Sequence, residues 1–120
     1  MVALQMAKAR GVDVRLMIPD RADHFAVFLA GFYYEQELGE ASIPVYRYKT
    51  GFLHQKCVLV DDGLALIGST NLDNRSLHLN FELMIACEGA KIVADVTAML
   101  EQDFANSSLS NAGDAPARPW

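Results

Sequence analysis

His54-Gln55-Lys56-Cys57-Val58-Leu59-Val60-Asp61, then Asp62-Gly63, then Leu64-Ala65-Leu66-Ile67 and Gly68-Ser69-Thr70-Asn71, is the stretch from which the rest of the chain can be read. His54 to Val60 has the apolar, β-branched character of a strand, Asp61-Asp62-Gly63 is a hairpin turn, and Leu64 to Ile67 is the apolar partner strand. Side chains two apart on a strand leave the same face, so His54 and Lys56 are expected side by side while Gln55 and Cys57 point the other way. The hairpin should return Ser69 and Asn71 toward that pair. Further on, Asn80-Phe81-Glu82 opens another buried strand, Phe81 to Ala86.

Outward from this block the periodicity alternates between helix and strand. Val2 to Arg10 reads as the end of an amphipathic helix that started upstream, capped by Gly11. Val12 to Ile18, ending at Pro19, alternates as a strand. His24 to Gly39 places Phe25, Phe28, Leu29, Phe32 and Leu38 at helical spacing, with Glu35 and Glu37 toward solvent. Ile43 to Tyr48 is a short strand with a turn at Thr50-Gly51, Asn71 to Asn80 a polar helical turn, and Ala90 to Phe104 a final helix. The expected fold class is therefore α/β, a mixed-sheet α/β/α layer sandwich. Residues 1–105 form one domain, and 106–120, rich in Ser, Asn, Ala, Gly and Pro without periodicity, read as a flexible tail.

Composition narrows the functional classes. The 120 residues are 52% hydrophobic and 21% charged, a balance that supports a packed core rather than disorder. A formal net charge of -5 gives no global basic field for gathering nucleic acid, so nucleic acid is not the favoured partner. Cys57 and Cys87 lie in apolar runs and read as small core hydrophobes. No stretch is long enough to span a bilayer.

His54, Lys56, Asp61, Ser69, Asn71 and Glu82 are the candidate catalytic residues, with Lys56, Ser69 and Asn71 as candidate substrate ligands. A neutral imidazole can attack phosphorus, and an ammonium beside it stabilises the charge that develops on the nonbridging oxygens. Ser69 and Asn71 can bond the same oxygens or fix His54. Glu82 can accept a proton from the far imidazole nitrogen and so set its tautomer. Asp61, at the end of the strand, is placed either to brace the turn or to serve the site. His, Lys, Asp, Gly, Ser and Asn falling by chance at these six spacings has odds on the order of one in a million.

The pattern HxKxxxxD, six residues, then GSxN, resembles the signature of the phospholipase D superfamily. The flanks Tyr46-Arg47-Tyr48, Gly51-Phe52-Leu53-His54, Asn71-Leu72-Asp73-Asn74-Arg75-Ser76 and Leu79-Asn80-Phe81-Glu82 are similar to the second motif of bacterial cardiolipin synthases, as are Arg10 to Val14 and Pro19. That resemblance implies a phosphatidyltransferase acting on phosphatidylglycerol through a covalent phosphohistidine, with no metal and no cofactor. It implies a truncated motif-bearing domain lacking its first strand, and a second HxKxxxxD half, from the same full-length protein or from a homodimer mate. A membrane surface is the implied setting, at the bacterial cytoplasmic membrane through segments this chain does not contain. Two alternatives stay open: a phosphodiesterase of the same superfamily, a phospholipase or nuclease working as a homodimer, or a catalytically silent fragment.

Overall fold

The computed structural model of the chain describes residues 2–20, 33, 35–73 and 75–110. These divide into two units, one built from the residues up to Leu53 together with those from Asp103 onward, the other from His54–Gln102.

In the first unit, helix α1 (Val2–Ala9) ends where the Gly11 N–H bonds the Lys8 carbonyl at 2.9 Å and the Val12 N–H bonds that of Ala7 at 3.1 Å. Gly11 has φ +88°, a left-handed conformation that costs a glycine little and closes the helix as expected. Strand β1 (Leu16–Pro19) runs parallel to β2 (Val45–Tyr48), with Leu16 opposite Val45. A parallel pair needs a long crossover, and its last part is helix α2, which includes residues 35–40. The rest of the expected helix, 24–32 and 34, lies outside the described residues. Leu38, Ile43 and Val45 form the core here, packed by Leu4, Val14, Leu16, Ile18 and Ala41.

Three expectations change in this unit. The strand begins at Leu16 rather than Val12, because the parallel ladder starts only where the chain at Pro44 comes alongside and accepts the Leu16 N–H at 3.1 Å. Glu35 does not face solvent: it grips the buried Arg47, whose Nε donates to Oε1 at 3.0 Å while Nη2 donates to Oε2. Arg47 shares the core face of β2 with Val45, and a guanidinium on that face needs an acid to compensate its lost hydration. The tail reading also fails at its start, since Ser107–Leu109 form strand β6, antiparallel to β2 with Ser107 opposite Tyr48. Just before it, Phe104 meets Tyr46 edge to face at 5.1 Å and carries the Arg15 guanidinium 4.9 Å from its ring centre. Residues 111–120, the remainder of that tail, lie outside the described residues.

The second unit is an antiparallel sheet in the order β3 (Cys57–Val60), β4 (Leu64–Gly68), β5 (Met84–Cys87), backed by helix α3 (Ala90–Ala105). Leu59, Ala65 and Cys87 stand opposite one another across the three strands and meet Val93, Val96 and Leu100 of the helix. Those three helical residues recur at spacings of three and four, which keeps them on one face. Cys57 and Cys87 are half-buried. With a mixed sheet β1-β2-β6 in one unit and an antiparallel sheet in the other, the architecture is α/β with mixed sheets.

Candidate active site

The hairpin forms as the sequence dictates, but its first strand is shorter. β3 begins at Cys57, so His54 and Lys56 lie on the approach to the strand rather than within it. The ladder runs out because β4 ends at Gly68: the Gly68 N–H still bonds the Lys56 carbonyl at 3.2 Å, but the Ser69 N–H turns to the Leu83 carbonyl at 2.9 Å. Glu82 is likewise two residues short of β5.

His54, Lys56, Ser69 and Asn71 nevertheless line one hollow of about 600 Å³, whose remaining wall includes Cys57, Ile67, Val96 and Met99. A polar lip carrying a cation and an imidazole therefore borders an apolar wall from β3, β4 and α3. The Lys56 ammonium donates to the His54 carbonyl, which ties the two residues together locally. An ammonium has three protons, so two remain for an anion.

Glu82 organises the far side of the lip. Its carboxylate accepts from the Ser69 hydroxyl, from the Ser76 hydroxyl at 3.0 Å and from Asn80 Nδ2 at 3.4 Å. These donors, the Ser69 bond first and the Ser76 bond second, hold the Glu82 pKa below its ordinary value against desolvation, with Asn80 and the Lys56 charge adding less. Ser69 is fully engaged: its one hydroxyl proton goes to Glu82, and its oxygen accepts the Leu83 N–H at 3.0 Å.

Asp61 is placed elsewhere. It follows the opposite end of β3 from His54, on the order of 20 Å along an extended chain. There it adopts φ 51° in the turn closed by the Gly63 N–H on the Val60 carbonyl at 3.4 Å. Aspartate tolerates that left-handed geometry better than most residues, which accounts for it by backbone alone.

Ser76 and Gly68 carry more than sequence reasoning assigned them. Ser76 is 6% exposed and sits in a single wide helical turn, Arg75–Leu79, closed by the Asn80 N–H on the Arg75 carbonyl at 2.7 Å. The Asp73 side chain caps that turn through the Ser76 N–H at 2.7 Å. A signal was available: Glu82 sits between the apolar Phe81 and Leu83 in the sequence, and Ser76 is the nearest hydroxyl before it. At Gly68, a Cβ would fall 2.0 Å from the Leu83 carbonyl oxygen and 2.8 Å from the Met84 Cα, so only glycine lets β4 meet β5 here. Among the described residues, no group of His, Cys, Asp and Glu is arranged to hold a metal ion.

Known proteins resemble this chain in fold and in sequence. The fold superposes on the crystal structure of Nuc, a phospholipase D family member from Salmonella typhimurium, with a TM-score of 0.76, covering 92% of this chain and 72% of that one. At 22% identity the likeness concerns the fold alone. Cardiolipin synthase A of Pseudomonas aeruginosa is 53% identical over 107 residues, which are 89% of this chain and 22% of that protein. Cardiolipin synthase A of Pseudomonas syringae is 50% identical over 102 residues, 85% of this chain and 21% of that protein. The chain thus spans about a fifth of the length of these relatives. Residues 1–104 match the family described as cardiolipin synthase, PLD-like domain, and since that is most of the molecule, the chain belongs to the phospholipase D-like domain family of the cardiolipin synthases.

Proposed function

We propose that this chain supplies one half of the active site of a cardiolipin synthase-type phosphatidyltransferase. The observation that carries the reading is the convergence of His54, Lys56 and Asn71 on one hollow. In the first step an imidazole nitrogen bonds to the phosphorus of phosphatidylglycerol, the bond from phosphorus to the glycerol oxygen breaks, and a second imidazolium gives that oxygen its proton. In the second step the hydroxyl of another phosphatidylglycerol attacks the phosphohistidine, the N–P bond breaks, and the now neutral second imidazole takes the hydroxyl proton. Lys56 and Asn71 hold the nonbridging oxygens in both steps. His54 fills one of the two histidine roles, and a second HxKxxxxD half provides the other.

Large apolar side chains left exposed on this unit support the need for that second half. Val58 and Val60 on β3 are 50% and 45% exposed, and Leu79, Phe81 and Leu83 more so. Exposed apolar side chains of this size are characteristic of interaction surfaces. No helix among the described residues is long and apolar enough to cross a membrane. The proposed setting is nonetheless the cytoplasmic membrane of a bacterium, since both substrates are lipids.

The test is incubation of the purified chain with phosphatidylglycerol labelled at phosphorus. An acid-labile, alkali-stable label that is lost in His54→Ala is expected, with cardiolipin as the product. Phosphatidic acid in place of cardiolipin would assign hydrolysis instead. Absence of label at every protein concentration would overturn catalysis by this chain as it stands and favour a silent fragment.

A further inference from the structure

We propose that Ser76 is a positioning residue of this site: together with Ser69 it clamps the Glu82 carboxylate, and the clamp fixes the Ser69–Asn71 segment beside Lys56. The proposal rests on the reading of His54, Lys56 and Asn71 as phosphodiester ligands.

The clamp is built from three separate pieces of chain. Ser69 follows β4, Ser76 lies in the wide turn, and Asn80 follows that turn, yet all three donate to one carboxylate. The two oxygens of a carboxylate offer about four acceptor sites, so three donors fit without competition. Ser69 is then bound twice to the stretch before β5, through Glu82 and through its reciprocal bonds with Leu83. With its proton committed to Glu82, the Ser69 hydroxyl has none left for a phosphoryl oxygen, so its part is to hold Asn71 in place rather than to bind substrate.

Ser76 is the deepest of the three donors, at 6% exposure, and the turn is shaped around it. Closing the turn over five residues instead of four brings Ser76 inward while Leu77 and Leu79 stay exposed at 46% and 76%. Asp73 then fixes the Ser76 backbone from the other side. Ser69, held by the clamp, lines the same hollow as Lys56, so fixing it fixes the loop on the side of the cation.

Two readouts separate positioning from plain structural support. The first needs no activity: the Glu82 carboxyl is titrated by NMR in the wild type, Ser76→Ala, Ser76→Thr and Ser69→Ala. Losing a donor should move the titration upward in S76A, further in S69A, and little in S76T, which keeps the hydroxyl. The second is the rate of phosphohistidine formation against lipid concentration and pH. S76A should lose about tenfold or more at saturating lipid and shift its acid limb upward, with S76T restoring both. Leu38→Ala serves as the control, a substitution in the other unit that lowers stability without touching the clamp. An unmoved Glu82 titration in S76A, or an S76A rate loss no larger than that of the control, would overturn the proposal. If S76A does not fold, Ser76→Cys, close in size but only a weak donor, carries both readouts with the same expected directions. If the wild type forms no phosphohistidine, the functional reading fails, and the titration alone decides whether the clamp exists.

Discussion

Replacing Gly68 with alanine should destabilise the chain through one identifiable collision. The new Cβ would stand 2.0 Å from the Leu83 carbonyl oxygen, whereas real Cβ atoms essentially never approach closer than 3.0 Å, so the backbone must move by at least about 1 Å. Overpacking of a well-fitted site costs about 1–3 kcal/mol. The movement also strains the two bonds that flank the collision, Gly68 N–H to Lys56 O at 3.2 Å and Ser69 N–H to Leu83 O at 2.9 Å. A typical backbone bond is worth a net 0.5–1.5 kcal/mol, roughly, so the whole effect should be about 2–6 kcal/mol. Against a total stability of about 5–15 kcal/mol, the variant should still fold in water but unfold at clearly lower urea. The assay is urea unfolding followed by circular dichroism, with amide exchange at Ser69 as the local probe. Gly89→Ala is the control, because its Cβ would meet only Ile92 Cγ2 at 3.6 Å, an ordinary contact. If G68A unfolds at the same urea concentration as the wild type, and Ser69 keeps its amide protection, then β4 and β5 do not approach as described.

Other substitutions probe other parts. Glu35→Ala leaves the Arg47 guanidinium without its bidentate partner, with Asp20 at 4.0 Å the remaining acid among the described residues, and should cost about 3 kcal/mol in thermal or urea unfolding. The apolar double variant Glu35→Leu with Arg47→Met should recover most of that loss, and failure to recover would mean the pair is not buried as a unit. Leu38→Ala removes a side chain only 1% exposed and should cost about 2–5 kcal/mol, measured the same way. Because the Glu82 pKa is lowered by folding from its ordinary value of 4.5, its contribution to stability is present above that value and fades as pH falls through the lower folded value. Unfolding of wild type and Glu82→Gln compared from pH 7 to pH 3 should show the difference between them shrinking over that acidic window. A difference that stays constant with pH would refute the shift.

Much of this molecule was determined by residues close together in the chain. The hairpin from Cys57 to Gly68 follows from apolar strands joined by Asp61-Asp62-Gly63, and its turn brings Ser69 and Asn71 back to His54 and Lys56 by connectivity alone. The cap at Gly11 and the helix from Ala90 were equally local, set by a left-handed glycine and by spacings of three and four. Tertiary structure decided whatever depends on a partner distant in sequence. A strand exists only where a neighbour accepts its hydrogen bonds, so β3 stops short of His54, β1 starts late, and Ser107–Leu109 becomes a strand because β2 lies beside it. A buried charge takes whichever counter-charge the fold delivers, which turned Glu35 toward Arg47. From sequence, Glu82 read as an acceptor for the His54 imidazole, while the structure gives it other donors. That those donors are Ser69, Ser76 and Asn80 depended on the wide turn at Arg75–Leu79, whose geometry no local preference specifies.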